Sequence, residues 1–340
     1  MKIFEILREG GWDDTVTQST VIGPIVVKTA LKITEKFAQD FSAWLEANGH
    51  QGVKMGAPTG SSAYHDVDPE DHVYGDIDLQ MIAPPVAGTP SQFSGHYNKL
   101  VDQFIAAVRP QYIYNTGKPA NGHIIVALGN SAYVQVDLIW ATPKLSTWAR
   151  WRMTPERGVK GLICGNMYSS LGEIMGLAIQ HSGVQMKIKG DQPINYQRGR
   201  KEDRIDTLTT NIERFAYDLL VELFKRIHPG QTDLRVSPRL KAHPGLNTKE
   251  VRVADLAEAI KGLAESFEMN RMYGQHVLAP FANKEEFINQ FLLHYIGKAN
   301  EAAAATKFDK ATTPEARARA QDTKNKIAKG VELVKGYMTT

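Results

Sequence analysis

The stretch Gly75-Asp76-Ile77-Asp78-Leu79-Gln80-Met81-Ile82, cut off by Pro84 and Pro85, constrains this chain more than any other. Its apolar residues alternate with the period of a β-strand, and the prolines cannot continue a ladder. Ile77, Leu79 and Met81 therefore share one face, while Asp76 and Asp78 share the other, about 6.6–7 Å apart. Two carboxylates in so apolar a strand must be neutralised, because burying either one unpaired is costly. A third, Asp137, lies in a second alternating run, Ala132 to Trp140, between Val136 and Leu138. If the two strands are neighbours, three carboxylates converge at one end of a sheet. The least demanding partner for them is a divalent cation, and two metals held by three carboxylates would activate an attacking hydroxyl and stabilise a leaving pyrophosphate. Oxygen-only donors select Mg2+ or Mn2+, and Mg2+ usually completes its shell with water and substrate phosphate oxygens.

The elements around these strands follow from periodicity. Pro24 to Asn48 reads as a helix, with proline in its first turn, a stripe through Val27, Ala30, Leu31, Phe37, Phe41 and Leu45, and Gly49 as its stop. Gly56 to Ser62 reads as a loop, Gly95 to Val108 as a second helix, and His123 to Leu128 as a strand joined to the Asp137 strand through Gly129-Asn130-Ser131. Residues 1–145 thus form a small α/β or α+β unit. Beyond Pro143 helical patterns dominate: Ser170 to Gln180, Arg204 to Ile227, Thr248 to Met269, Lys284 to Ala304 and Pro314 to Tyr337. Only Val184 to Lys189 reads as a strand there, so residues 146–340 are expected to be a second, mainly helical domain. A length of 340 residues agrees with two domains.

Gly60-Ser61-Ser62 precedes the carboxylate strand. Such a turn offers backbone N–H groups and short hydroxyls to a triphosphate, and glycine permits close approach. Gly-Ser, then a loop, then an apolar-flanked Asp-x-Asp and a later strand carboxylate resembles the polymerase-beta-like nucleotidyltransferase superfamily. The resemblance covers roughly residues 25 to 145. It implies an α+β fold in which a mixed sheet with flanking helices presents the motif and a helical domain follows. It also implies transfer of a nucleoside monophosphate from an NTP to an acceptor hydroxyl, possible acceptors including an RNA 3′ end, DNA, a small molecule, a second nucleotide or a protein. In that mapping Gly60 and Ser61 match the Gly-Ser pair, Asp76 and Asp78 the metal pair, and Asp137 the third carboxylate. The 14 residues between Ser61 and Asp76 are a slightly long spacing, and this insert is acidic, as a lid or a metal-adjacent loop would be. An inactive transferase fold used to bind nucleic acid is the alternative, and the three retained carboxylates argue against it. The opening Met1-Lys2-Ile3-Phe4-Glu5 is similar to the starts of many tailed-phage proteins.

Composition narrows the rest. Apolar residues at 42% and charged residues at 23% exclude a disordered chain or a fibre. There is no membrane-spanning apolar run and no secretory signal at the start, and the one cysteine, Cys164, fits a reducing cytoplasm and a buried position. A net charge of +3 says little, but its distribution is uneven. Asp66 to Asp78 holds six acidic residues and no Lys or Arg, whereas Lys187, Lys189, Arg198, Arg200, Lys201 and Arg204 form a basic strip. Lys187 and Lys189 either clamp a triphosphate or edge a sheet. Ser169 and Ser170 are read at the start of a helix, as caps or as phosphate contacts. The basic tail after Thr306 is either a terminal helix or a polyanion-binding arm. Trp140, Trp148 and Trp151, around Arg150 and Arg152, are expected to pack a seam between domains, or else to stack on bases. The histidines show no paired spacing for zinc.

Overall fold

Pro24 at the first position, buried apolar side chains every three or four residues, and Gly49 at φ +77° define the first helix, α1 (Pro24–Ala47). The computed structural model describes residues 22–50, 52–86, 90–114, 122–129, 132–143, 160–180, 183–200, 202–240, 252–271, 278, 280–306 and 314–340. The chain divides into two units, residues 1–146 and 147–340, beside the sequence expectation of a boundary after residue 145.

Unit 1 continues with β1 (Lys54–Pro58), a 3-10 turn over Ser61–Tyr64, β2 (Ile77–Ile82), α2 (Pro90–Val108), β3 (Ile113–Tyr114), β4 (His123–Gly129) and β5 (Ala132–Ala141). The strands form one mixed sheet in the order β1-β2-β5-β4-β3, with β2 and β5 parallel and the other pairs antiparallel. Ile77, Leu79, Met81, Ile124, Val126, Val134, Val136 and Leu138 bury one face of it in a core shared with α1 and α2. Phe37 and Phe41 meet Phe104 there at 5.6 and 5.4 Å between ring centroids. Each such ring contributes about 1.5–3 kcal/mol by leaving water.

Two expectations for this unit are revised. The segment read as a loop from Gly56 begins inside β1. Its glycine and proline are poor strand formers, but β1 is an edge strand paired only with β2, where proline is tolerated. Gly56 is required by close approach, since a Cβ there would lie 2.9 Å from the Gln80 carbonyl oxygen. Trp140, expected at an interdomain seam, is instead buried in unit 1. It stacks on Tyr97 at 5.1 Å and donates from Nε1 to Asn98 at 2.6 Å. Trp148, Trp151, Arg150 and Arg152 lie outside the described residues, as do Met1–Glu5, Asn130, Ser131, Lys201 and Thr248.

Unit 2 contains α3 (Lys160–Met175), β6 (Ala178–Gln180), β7 (Gly183–Lys189), β8 (Gln192–Ile194), β9 (Arg204–Thr209), α4 (Phe215–Ile227), α5 (Val253–Met269), α6 (Lys284–Ala304) and α7 (Pro314–Thr339). It is therefore not built from helices around a single strand. Four antiparallel strands form a sheet with β7 at its centre, β6 and β8 along one edge and β9 along the other. The helix expected from Ser170 to Gln180 starts ten residues earlier and stops at Met175, because Gly176 takes φ +66° and turns the chain into β6. The helix expected from Arg204 divides in two. Arg204–Thr209 is a strand with alternating side chains, and Asn211 Oδ1, accepting from the backbone N–H groups of Glu213 and Arg214, starts the turn into α4. Within the basic tail, residues Pro314–Thr339 form helix α7, with Ile327, Val334 and Met338 buried. No helix among the described residues is long and apolar enough to cross a membrane.

Candidate active site

Strand register decides which carboxylates meet. β2 runs parallel to β5 with Ile77 beside Val136 and Asp78 beside Asp137, so Asp78 and Asp137 occupy one row on the face opposite the helices. Neighbouring strands lie about 4.8 Å apart, which brings the two carboxylates together. Asp76, one residue before β2, belongs to the same face. Across the other edge of β5, His123 pairs with Asp137 and extends the row.

The Gly60 turn is bound to this row. The Thr59 N–H donates to the Asp78 carbonyl at 2.8 Å, and the Ser62 hydroxyl reaches the Thr59 and Asp78 carbonyls at 3.0 and 3.3 Å. Gly60 has φ +54°, and a Cβ built on it would lie 1.9 Å from Asp78 Oδ2. Only glycine lets the backbone rest against that carboxylate. Ser61 is exposed, whereas Ser62 is fully buried. The Ser62 hydroxyl, expected to serve a triphosphate, instead braces the turn on β2. The acidic insert is tied down as well: Ile22 bridges to Tyr74, and the Tyr74 hydroxyl donates to Asp68 at 2.8 Å.

The electrostatics follow from crowding like charges in a half-buried place. Burial first, then the charges of Asp78 and Asp137, push the Asp76 carboxyl up to about 6. Burial and Asp137 also raise Asp78. Asp137 is held from below, since Gln135 Nε2 donates to its Oδ1 at 2.8 Å. The donors are hard oxygens, the kind that suit Mg2+ or Mn2+ with other ligands from water and phosphate. Among the described residues no three His, Cys, Asp or Glu side chains, Asp76, Asp78 and Asp137 included, are placed to hold a metal ion by themselves. The carboxylates alone would be an incomplete ligand set.

The remaining candidates belong to unit 2. Ser169 and Ser170 lie in the middle of α3 rather than at its start. Ser170 is buried and donates to the Asn166 carbonyl at 2.6 Å, so neither serine caps a helix or offers a helix N-terminus to phosphate. The earlier start of α3, hidden by Gly165, is the reason. Lys187 and Lys189 lie on β7, the central strand of its sheet rather than an edge. The Lys187 ammonium donates to the Arg200 carbonyl at 3.0 Å and lies 5.0 Å over the Tyr196 ring, while Lys189 is exposed. Arg204 pairs with Asp206 at 3.1 Å. Cys164 is buried. Of the residues that matter at the carboxylates, the sequence reading passed over Thr59, His123 and Gln135. Alternation already placed Gln135 on the Asp137 face, but His123 and Thr59 needed strand register. Compared with known proteins, the chain matches no family model, no curated protein and no solved structure.

Proposed function

We propose that this chain is a divalent-cation-dependent nucleotidyltransferase with a polymerase-beta-like catalytic unit. It would move a nucleoside monophosphate from an NTP, ATP by default, to an acceptor hydroxyl. The observation that carries the reading is the junction of the Gly60 turn with Asp78, itself in register with Asp137. Asp76, Asp78 and Asp137 would hold the two metals, while the Gly60-Ser61 backbone and the Ser61 hydroxyl would meet the triphosphate. A cation bound there supplies a lowered pKa at the acceptor hydroxyl and charge compensation for the leaving pyrophosphate. The acceptor oxygen bonds the α-phosphorus, the bond to the β-phosphate oxygen breaks, and the hydroxyl proton is lost to solvent. The raised Asp76 and Asp78 carboxyls support this reading, because repelling carboxylates favour a cation.

Exposed Lys189, Arg198 and Arg200 on unit 2 favour an RNA or DNA acceptor over a small molecule. The test is incubation with Mg2+, each labelled NTP and candidate acceptors, reading pyrophosphate release and product size. Pyrophosphate released only with metal, together with a labelled product, is expected; none with any NTP or acceptor overturns the transferase reading. With single-stranded RNA, log K should fall by about 0.7 per log unit of salt for each phosphate contact. Charge reversal at Arg198 and Arg200 should reduce that slope by about one or two units. NTP turnover without any polymer would remove the nucleic-acid acceptor.

A further inference from the structure

The carboxylate face contains a side chain that is neither a charge nor part of the apolar core. Gln135 lies two residues before Asp137 on β5, on the same face, and only 3% of it is exposed. Because Ile77 pairs with Val136, the register sets Gln135 beside Asp76 as well. Its neighbour across β4 is Ile125, also buried, so an alkyl side chain would suit the position sterically. Burying an amide there is unfavourable unless its groups are bonded. What an amide offers and an alkyl chain does not is a donor, and Gln135 Nε2 gives it to Asp137 Oδ1 at 2.8 Å. A carboxylate turns freely about its last torsion, whose energy profile is broad. One fixed donor removes that freedom.

We infer that Gln135 is a positioning residue of the transfer site: its buried amide holds the Asp137 carboxylate in one orientation, with Oδ1 bonded to the protein and Oδ2 kept for a ligand. This rests on the transferase reading. Partners of this kind, bonded to a metal-binding side chain, typically change metal affinity or activity by about 10–100-fold when removed. Gln135 acts through Asp137, so its removal should weaken cation binding and turnover and leave the KM for NTP nearly unchanged.

The experiment uses the full chain with Gln135→Met, which keeps length and loses the donor, and Gln135→Leu as a second variant. Mn2+ alone is titrated and followed by electron paramagnetic resonance, with circular dichroism and Tm as checks on folding. Expected is a tenfold or greater loss of Mn2+ affinity with a native spectrum, a similar fall in kcat, and KM within about threefold. In an Asp137→Asn background the effect of Gln135→Met should vanish, as coupling through one contact requires. Folded variants with wild-type Mn2+ affinity and turnover overturn the inference, and so do additive effects in the double variant. Loss of the native spectrum in both variants assigns Gln135 a structural role and overturns it too. A wild-type chain that neither binds Mn2+ nor releases pyrophosphate overturns the transferase reading, and this inference with it.

Discussion

Two clusters around half-buried carboxylates in this protein are treated in opposite ways. In unit 1, Asp76, Asp78 and Asp137 share a sheet face, and burial with mutual repulsion raises Asp76 and Asp78. In unit 2, Glu173 of α3 faces Lys298 and His294 of α6 at 2.6 and 3.0 Å. Burial works to raise Glu173 too, but Lys298 and then His294 outweigh it and hold the carboxyl below its usual range. The second group is complete, with charge, counter-charge and hydrogen bonds all from the chain. Among the described residues no Lys or Arg forms an ion pair with the first group, so its like charges stay uncompensated there. Unit 2 thus shows how this protein half-buries an acid with its counter-charge, and the contrast is the ground on which the unit 1 carboxylates are proposed as a ligand site.

The sharpest way to break that contrast is to remove one charge from each group. Asp78→Asn should lower turnover more than 100-fold, while raising Tm in EDTA because it relieves repulsion. A variant keeping more than a tenth of wild-type pyrophosphate release would show that Asp78 is not a cation ligand. Next in size is Gly60→Ala. Its Cβ would meet the Asp78 carboxylate, and a positive φ costs alanine about 1–2 kcal/mol. Turnover should fall at least tenfold with only a modest drop in the urea midpoint. An unchanged rate would place the triphosphate elsewhere.

Glu173→Ala should do the reverse. It should destabilise the chain by about 0.5–1 kcal/mol in urea, a figure kept low because the three side chains are partly exposed. Transfer activity should not change. If turnover collapses without unfolding, the two groups are not separable as structure and site.

The smallest effect is in pH, where the two groups have opposite signs. Asp76 has a folded pKa of about 6, above its ordinary 3.8. Its stabilisation of the metal-free protein is therefore fully present below about 3.8 and lost as pH rises through about 6. Glu173 is lowered, so its contribution is present above its ordinary 4.5 and lost as pH falls through the lower folded value. Urea midpoints in EDTA should therefore fall from pH 4 to 7 through Asp76, and Asp76→Asn should flatten that decline. Glu173→Gln should flatten only the acid side. A decline from pH 4 to 7 that Asp76→Asn leaves intact would remove Asp76 as its source.

Helix limits were legible wherever the boundary chemistry was local. Pro24 and Gly49 bracket α1, and Asn283, which accepts from the Glu286 N–H, opens α6 where periodicity places it. The strands of unit 2 were legible only at β7, whose alternation is long. β6 and β8 are three residues each and acquire meaning only from pairing with β7. Glycines inside α3 disguised its first turns, and that one error moved Ser169 and Ser170 to a helix end they do not occupy.

The sequence by itself determined that Asp76 and Asp78 share a face of an apolar strand, and that Asp137 and Gln135 share a face of another. Side-chain alternation is a local property of extended backbone, readable without a partner. Only the tertiary structure decided that the two strands run parallel in the register that joins Asp78 to Asp137. It alone brought Gly60 against Asp78, turned the Ser62 hydroxyl inward, and set the Gln135 amide on Asp137. Register is settled by which apolar faces bury together, over segments far apart in the chain, and a shift of one residue would send every one of these groups to the opposite face.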